Sequence, residues 1–202
     1  MMEVSLDKVR RLREETSAKI LDCKKALVET KGDLEEAKRI LRRKGIEIAR
    51  RKSGERTAQG IITSYIHHNG RVGTLVEIHC QSDFVAKNSE FQEFAKNVAM
   101  HIAASDPRWI SAEEIPGKVL EEEKAILKTQ AEKEGKPNKI IEKIVEGRIK
   151  KFYSEVCLLE QPFFKDEKKT VRQHLEEFIA KVGENVKIHR FVRYQLRKGQ
   201  NN

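Results

Sequence analysis

No run of 18 or more apolar residues occurs in the 202-residue sequence, so no segment is suited to crossing a bilayer as a helix. Cysteine is scarce. Cys23, Cys80 and Cys157 are odd in number and far apart, which gives neither a disulfide framework nor zinc-ligand spacing and suits a reducing compartment. All three are expected as small buried hydrophobes. The opening residues, Met1-Met2-Glu3-Val4-Ser5-Leu6-Asp7, lack the apolar stretch of a signal peptide and the acid-poor character of a transit peptide. The expected address is the cytoplasm. Enzyme signatures are missing too: there is no Gly-rich loop leading to Lys-Ser/Thr, no Gly-x-Ser-x-Gly elbow and no His-Glu-x-x-His helix. No catalytic residue, cofactor or metal is therefore expected. Aromatics make up only 6%, and most of the eight phenylalanines fall at helix core positions, which leaves a single-strand nucleic-acid binder few stacking platforms.

Charge, by contrast, is plentiful. The net charge is +9 and the pI about 9.4, yet 41 basic residues are interleaved with 32 acidic ones, the pattern of solvated helix faces. One stretch is locally basic: Arg42, Arg43, Lys44, then Arg50, Arg51, Lys52. It offers an alternative reading, a basic RNA- or ribosome-associated protein whose affinity falls steeply with salt. Direct nucleic-acid binding is nevertheless not expected, because an acidic protein surface fits such a stretch equally well.

Periodicity divides the chain. Residues 1–45 read as three short amphipathic helices: one from a Ser5 cap through Leu6, Val9 and Leu12, and one opened by Thr16-Ser17 with Ile20, Leu21, Cys23, Ala26 and Leu27 inward. The third is capped by Asp33 after Gly32, presents Leu34, Ala37, Ile40 and Leu41, and is stopped by Gly45. Residues 46–59 have no period and read as a basic linker. From residue 60 to 202 the pattern is an α+β core. Two β-rich runs flank His67-His68-Asn69-Gly70-Arg71, and Asn-Gly predicts a type I′ hairpin with Tyr65 opposite Thr74 and Thr63 opposite Val76. In that register His67 and His79 lie on opposite faces, so they are not expected to share a metal.

Helices then follow. Ser89 with Gln92 makes a capping box before Phe91, Phe94, Ala95, Val98 and Ile102, and Ser111 with Glu114 introduces a polar helix over 119–134. The break at Gly135-Lys136-Pro137-Asn138 precedes a helix with Ile141, Ile144, Val145, Ile149 and Phe152. Gln161-Pro162-Phe163-Phe164 reads as an extended connection. Thr170 and Gln173 cap a last helix, and Val186, Ile188, Val192, Tyr194 and Leu196 alternate as a third strand. The fold class is α+β: a three-helix module, then a core with a small, mainly antiparallel sheet of about three strands and several helices.

Between the second strand and the Phe91 helix lies Cys80-Gln81-Ser82-Asp83-Phe84-Val85-Ala86-Lys87-Asn88. It places a carboxylate, an aromatic ring and an ammonium within five residues at a helix entrance. Locally, Asp83 can cap, Phe84 can staple into the core, and Lys87 and Asn88 can be solvated. A projecting Asp-Phe is also what a wedge aimed at another protein needs.

This segment resembles the signature of the elongation factor Ts family, Thr-Asp-Phe-Val-Ala-Lys-Asn after a strand ending in Cys-Gln, with Ser82 in the threonine position. The run Thr16…Asp22-Cys23-Lys24-Lys25-Ala26-Leu27…Glu29…Gly32-Asp33…Ala37…Leu41-Arg42…Gly45 is similar to the family's ubiquitin-associated-type (UBA-like) module. Ser17 and Lys19 stand where glycines are usual, and Ile20-Leu21 where methionines are usual. Gln161-Pro162-Phe163…Lys169-Thr170-Val171 and Ile188-His189-Arg190-Phe191-Val192-Arg193-Tyr194 match in the same order. The resemblance implies a non-catalytic guanine-nucleotide exchange factor that binds elongation factor Tu in its GDP-bound and nucleotide-free forms. It implies Ser82, Asp83, Phe84, Val85, Ala86, Lys87 and Asn88 as the segment that dislocates Mg²⁺ there, with Lys24, Lys25 and Arg42 as contacts from the N-terminal module. It also implies a homodimer formed by the core, since the chain is short and its 61–104 pattern does not repeat.

Overall fold

The computed structural model describes residues 4–16 and 18–196. Ser17, expected with Thr16 to open the second helix, lies outside the described residues, as do residues 1–3 of the opening segment.

Three helices come first: α1 (Leu6–Thr16), α2 (Ile20–Glu29) and α3 (Leu34–Lys52). Val9, Leu12, Cys23, Ala26, Leu27, Ala37 and Leu41 form their shared core. Lys31 and Gly32 turn the chain with φ of 53° and 85°, and the Asp33 carboxylate accepts the Glu36 N–H at 3.0 Å. Three expectations change here. Leu6 and Ile20, the first residues of α1 and α2, are exposed, and so is Leu21, because α2 carries two apolar stripes: Cys23, Ala26 and Leu27 take the core, which turns Leu21 and Val28 outward. Gly45 does not stop α3. Ala37, Leu41, Gly45 and Ala49 step every four residues along one buried face, so the first half of the expected 46–59 linker is helix.

A hairpin of β1 (Gln59–Ile66) and β2 (Val72–Cys80) follows, then α4 (Asp83–Lys87) and α5 (Ser89–Ser105). The His67 N–H donates to Val72 O at 2.8 Å, which fits the expected register, but the turn differs. Its closing bond runs from Gly70 N–H to His67 O, so His68 and Asn69 are central. Asn69 keeps a negative φ and accepts the Arg71 N–H with its side chain; Gly70 takes the left-handed position at +65°. At the start of α5 the cap is Asn88, not Ser89: its side chain accepts the Glu90 N–H at 2.8 Å.

The rest is α6 (Gly117–Lys133), α7 (Asn138–Val156), β3 (Pro162–Phe163), β4 (Asp166–Thr170), α8 (Val171–Val182) and β5 (Val186–Gln195). Ser111 leads only into a 3-10 turn, Ala112–Glu114, and α6 starts after Pro116. β3 and β4 form a small antiparallel hairpin where an extended connection was expected. The main sheet is antiparallel, in the order β1-β2-β5. Among the described residues no helix is long and apolar enough to cross a membrane.

Contacts divide the chain into two compact units. One comprises Met1–Ser64, Leu75–Asn97 and Gln173–Phe191. Within it Phe94 and Phe178 stack with centroids 4.6 Å apart, Phe91 lies 6.1 Å from Phe178, and Val76 and Ile78 are buried. The other comprises Tyr65–Thr74, Val98–Arg172 and Val192–Asn202. Val98, Ile102 and Leu158 are fully buried in it, while Leu127, Ala131, Ile141 and Ile149 lie buried on the paired helices α6 and α7.

At the centre of this second unit is the fully buried imidazole of His101. Its Nδ1 accepts the Phe164 N–H, so Nε2 carries the proton and donates to Gln161 Oε1 at 3.0 Å. The Gln161 amide in turn donates to Ser105 O and Glu155 O. Burial pushes the His101 pKa below its ordinary 6.5, against the Gln161 bond, which raises it. The unfolded chain therefore takes up this proton at higher pH than the folded one. The stabilisation is complete above about pH 6.5 and is lost as pH falls toward the folded value. Urea midpoints at pH 7.5 and 5.5 should fall more for the wild type than for His101→Gln, and equal falls would remove His101 from the acid response.

Candidate functional site

The segment from Cys80 to Asn88 has a buried root and an exposed tip. Ser82, not Asp83, is the cap: its Oγ accepts the Val85 N–H at 3.3 Å, which starts α4. The same hydroxyl donates to Glu184 Oε1 at 2.6 Å, and the Ser82 N–H donates to Glu184 Oε2 at 3.0 Å. One carboxylate, 102 residues downstream, thus grips both polar groups of the capping residue. Next to it, Gln81 Oε1 accepts the Asn185 N–H, and Gln81 Nε2 donates to Glu55 Oε2. The Asn185 side chain donates to Glu55 O at 2.7 Å and Ser53 O at 3.4 Å. The α8–β5 turn and the chain just after α3 therefore clamp the base of α4 together. Cys80 is buried beneath it, and burial, helped by the Glu184 charge, pushes its thiol up to about 11, so it is an inert packing group.

Above this root the side chains point out. Ala86 is buried and Val85 half-buried, but Phe84 is 84% exposed and does not staple into the core, one of the two roles its sequence position offered. Asp83 and Lys87 pair at 2.8 Å across one turn of α4. The hydrogen bond and charge of Lys87 hold the Asp83 carboxyl below the usual carboxylate range, so it is ionised at neutral pH. The Asn88 N–H closes the helix on Val85 O at 3.0 Å. The result is a phenyl ring in water beside a carboxylate, on a five-residue helix whose base is hydrogen-bonded on two sides. What this tip exposes to a partner is an apolar ring and an ionised carboxylate.

The three N-terminal candidates are not grouped together. Lys24 and Lys25 line an open groove on α2 with Leu21, Val28 and Glu29. Arg42 is exposed on α3 and is not in that lining. Sequence reasoning missed the Leu21–Val28 stripe, whose spacing of seven was legible, and the Glu184 and Asn185 clamp, for which only a turn signal at Gly183 existed.

The family described as "Elongation factor TS" matches residues 5–198. Elongation factor Ts of Desulforamulus reducens is 55% identical over 199 residues, covering 98% of this chain and 92% of that protein. That of Acetivibrio thermocellus is 54% identical over 196 residues, covering 97% and 91%. That of Fervidobacterium nodosum is 48% identical over 195 residues, covering 96% and 99%. Likeness of this extent reaches from the helical module through the α4 segment to β5, and on it this chain belongs to the elongation factor Ts family.

Proposed function

We propose that the chain is the guanine-nucleotide exchange factor of elongation factor Tu, and that α4 is the part that enters the nucleotide site of that GTPase. The observation that carries this reading is Phe84, a large apolar side chain held in solvent on a clamped base. An exposed ring gains free energy only when a partner covers it. The ionised Asp83 beside it suits the neighbourhood of a Mg²⁺–phosphate site, where a carboxylate competes for the metal and repels the phosphate. Ser82, Val85, Ala86, Lys87 and Asn88 hold this pair in place or flank it.

Such an agent works by linkage. A factor that binds the nucleotide-free GTPase more tightly than the GDP-bound form weakens GDP by the same coupling free energy. A roughly thousandfold faster release requires a barrier lower by about 4 kcal/mol. No covalent step is needed, and the chain acts as a binding factor in the cytoplasm. Lys24, Lys25 and Arg42 supply a second grip from the helical module. The RNA reading is weakened by the basic stretch itself, since Lys44 is paired with Asp22 and Lys52 with Glu55.

The same proposal includes a homodimer. β1 is an edge strand of the sheet and leaves Ile62 and Ile66 about two-thirds exposed. An unpaired edge with alternating apolar residues is a surface on which a second copy can pair about a two-fold. Sedimentation equilibrium would show a monomer if this part is wrong.

The test of exchange is release of a fluorescent GDP analogue from elongation factor Tu at sub-stoichiometric amounts of this chain. Acceleration with turnover is expected. Unchanged release would end the exchange reading and bring back the RNA one, to be followed by a salt titration.

A further inference from the structure

Along β5 burial alternates up to Ile188: Val186 and Ile188 are buried and Lys187 between them is exposed. The next two residues, His189 and Arg190, are both exposed, and Phe191 and Arg193 then turn partly inward. A one-residue slip of this kind is what a bulge produces, and bulges re-aim side chains. Here the slip sets two successive side chains beside Glu77 and His79. Those two, at i and i+2 on β2, share one face of the sheet.

The contacts are close. His79 Nε2 is 2.6 Å from Glu77 Oε1, and Arg190 Nε donates to Glu77 Oε2 at 2.6 Å. The rings of His79 and His189 stack at 4.6 Å with 18° between their planes. One ligand atom from each of Glu77, His79 and His189 lies within 4.8 Å of the other two. No other such trio occurs among the described residues. Two imidazole nitrogens and a carboxylate oxygen are the donor set of borderline divalent ions, with water completing the shell at an open surface.

We propose that Glu77, His79 and His189 form a binding site for a divalent transition-metal ion of the Zn²⁺ class. The ion takes the place of the hydrogen bond between His79 Nε2 and Glu77 Oε1, with the imidazole proton moving to Nδ1, and because protons compete with the ion for the imidazole nitrogens binding weakens as pH falls. Arg190 remains on Oε2 and orients the carboxylate from outside the ligand shell. Because the donors come from neighbouring strands, the ion ties β2 to β5 one residue before Cys80. Expecting His67 and His79 on opposite faces, and therefore no shared metal, dealt with the wrong pair: the partner of His79 comes from β5.

Isothermal titration of the full chain with ZnCl₂ at pH 7.5 tests this. One ion per chain is expected, with weaker binding at pH 5.5. His79→Ala and His189→Ala should each weaken binding about tenfold or more. His67→Ala should leave it unchanged, although His67 and His68 sit with ring centroids 4.2 Å apart at the hairpin tip. All these side chains are partly or fully solvent-exposed, and circular dichroism checks that each variant is folded. Co²⁺ gives a second readout, a visible absorption band that His189→Ala should shift or abolish. Absence of binding by the wild type overturns the site. So does binding that survives the combined His79→Ala and His189→Ala substitutions, or that is lost on His67→Ala instead.

Discussion

Phe84→Ala should leave the fold intact and slow catalysed GDP release from elongation factor Tu by roughly tenfold to a hundredfold. The two halves of this expectation rest on the same observation. A ring 84% exposed makes little contact with its own chain, so removing it should change stability by no more than about 0.5 kcal/mol. If the ring is buried in the complex, it contributes about 1.5 to 3 kcal/mol there. Each 1.36 kcal/mol is a factor of about ten in rate. The loss is expected to be partial, because in the proposed complex the Asp83 carboxylate and the N-terminal module still hold the partner. Release of the fluorescent analogue at matched sub-saturating concentrations, beside a thermal melt, measures both halves. An undiminished release rate would sink the wedge. A large drop in melting temperature would instead show that the ring packs at home.

The place of the α4 segment was legible in sequence, between alternation before it and 3.6-residue periodicity after it. Its local geometry was not: the pattern offered Asp83 as the cap and Phe84 as a staple, where Ser82 caps and Phe84 is exposed. What holds the segment was not legible. Glu184 and Asn185 reach Ser82 and Gln81 from more than 100 positions away, and nothing in a solvated-looking Gly183-Glu184-Asn185 turn names its partner. The same contrast runs through the fold. The hairpin register is the one Asn69-Gly70 implied although the turn is of another type: Asn69 bonding to Arg71 N–H favours a four-residue loop over the two-residue type I′ turn, and both loops leave His67 opposite Val72. Gly45 reads as a helix stop from propensity, yet burial of one face carries α3 seven residues further, to Lys52. The slip at His189 could not be anticipated, since strict alternation is the only signal a strand pattern carries.

Gly60→Ala should destabilise the protein by about 3 kcal/mol or more, the largest single effect expected of any small substitution in the sheet. A Cβ built at Gly60 would lie 2.2 Å from Ile78 O and 2.9 Å from His79 Cα, where ordinary contact begins at 3.4 Å. Both atoms are backbone in β2, the central strand, so neither can swing aside as a side chain would. Relief requires β1 to move away by about 1 Å. That stretches ladder hydrogen bonds, each contributing about 1 kcal/mol. Two other glycines supply a scale. Gly70→Ala meets nothing within 4 Å but must hold φ near +65°, which costs about 1 to 2 kcal/mol. Gly73→Ala gains an ordinary contact with Ile66 at 3.7 Å and should be neutral or slightly stabilising. Urea unfolding of the three variants should therefore rank them Gly60, Gly70, Gly73 from most to least damaging, and a Gly60→Ala variant as stable as Gly73→Ala would refute the close approach. The consequence extends beyond stability. Ile78 and His79 immediately precede Cys80, and Ser82 hangs from the strand two residues later. A β1 forced off β2 therefore disturbs the root from which Phe84 projects, and Gly60→Ala should slow exchange even at temperatures where the chain remains folded.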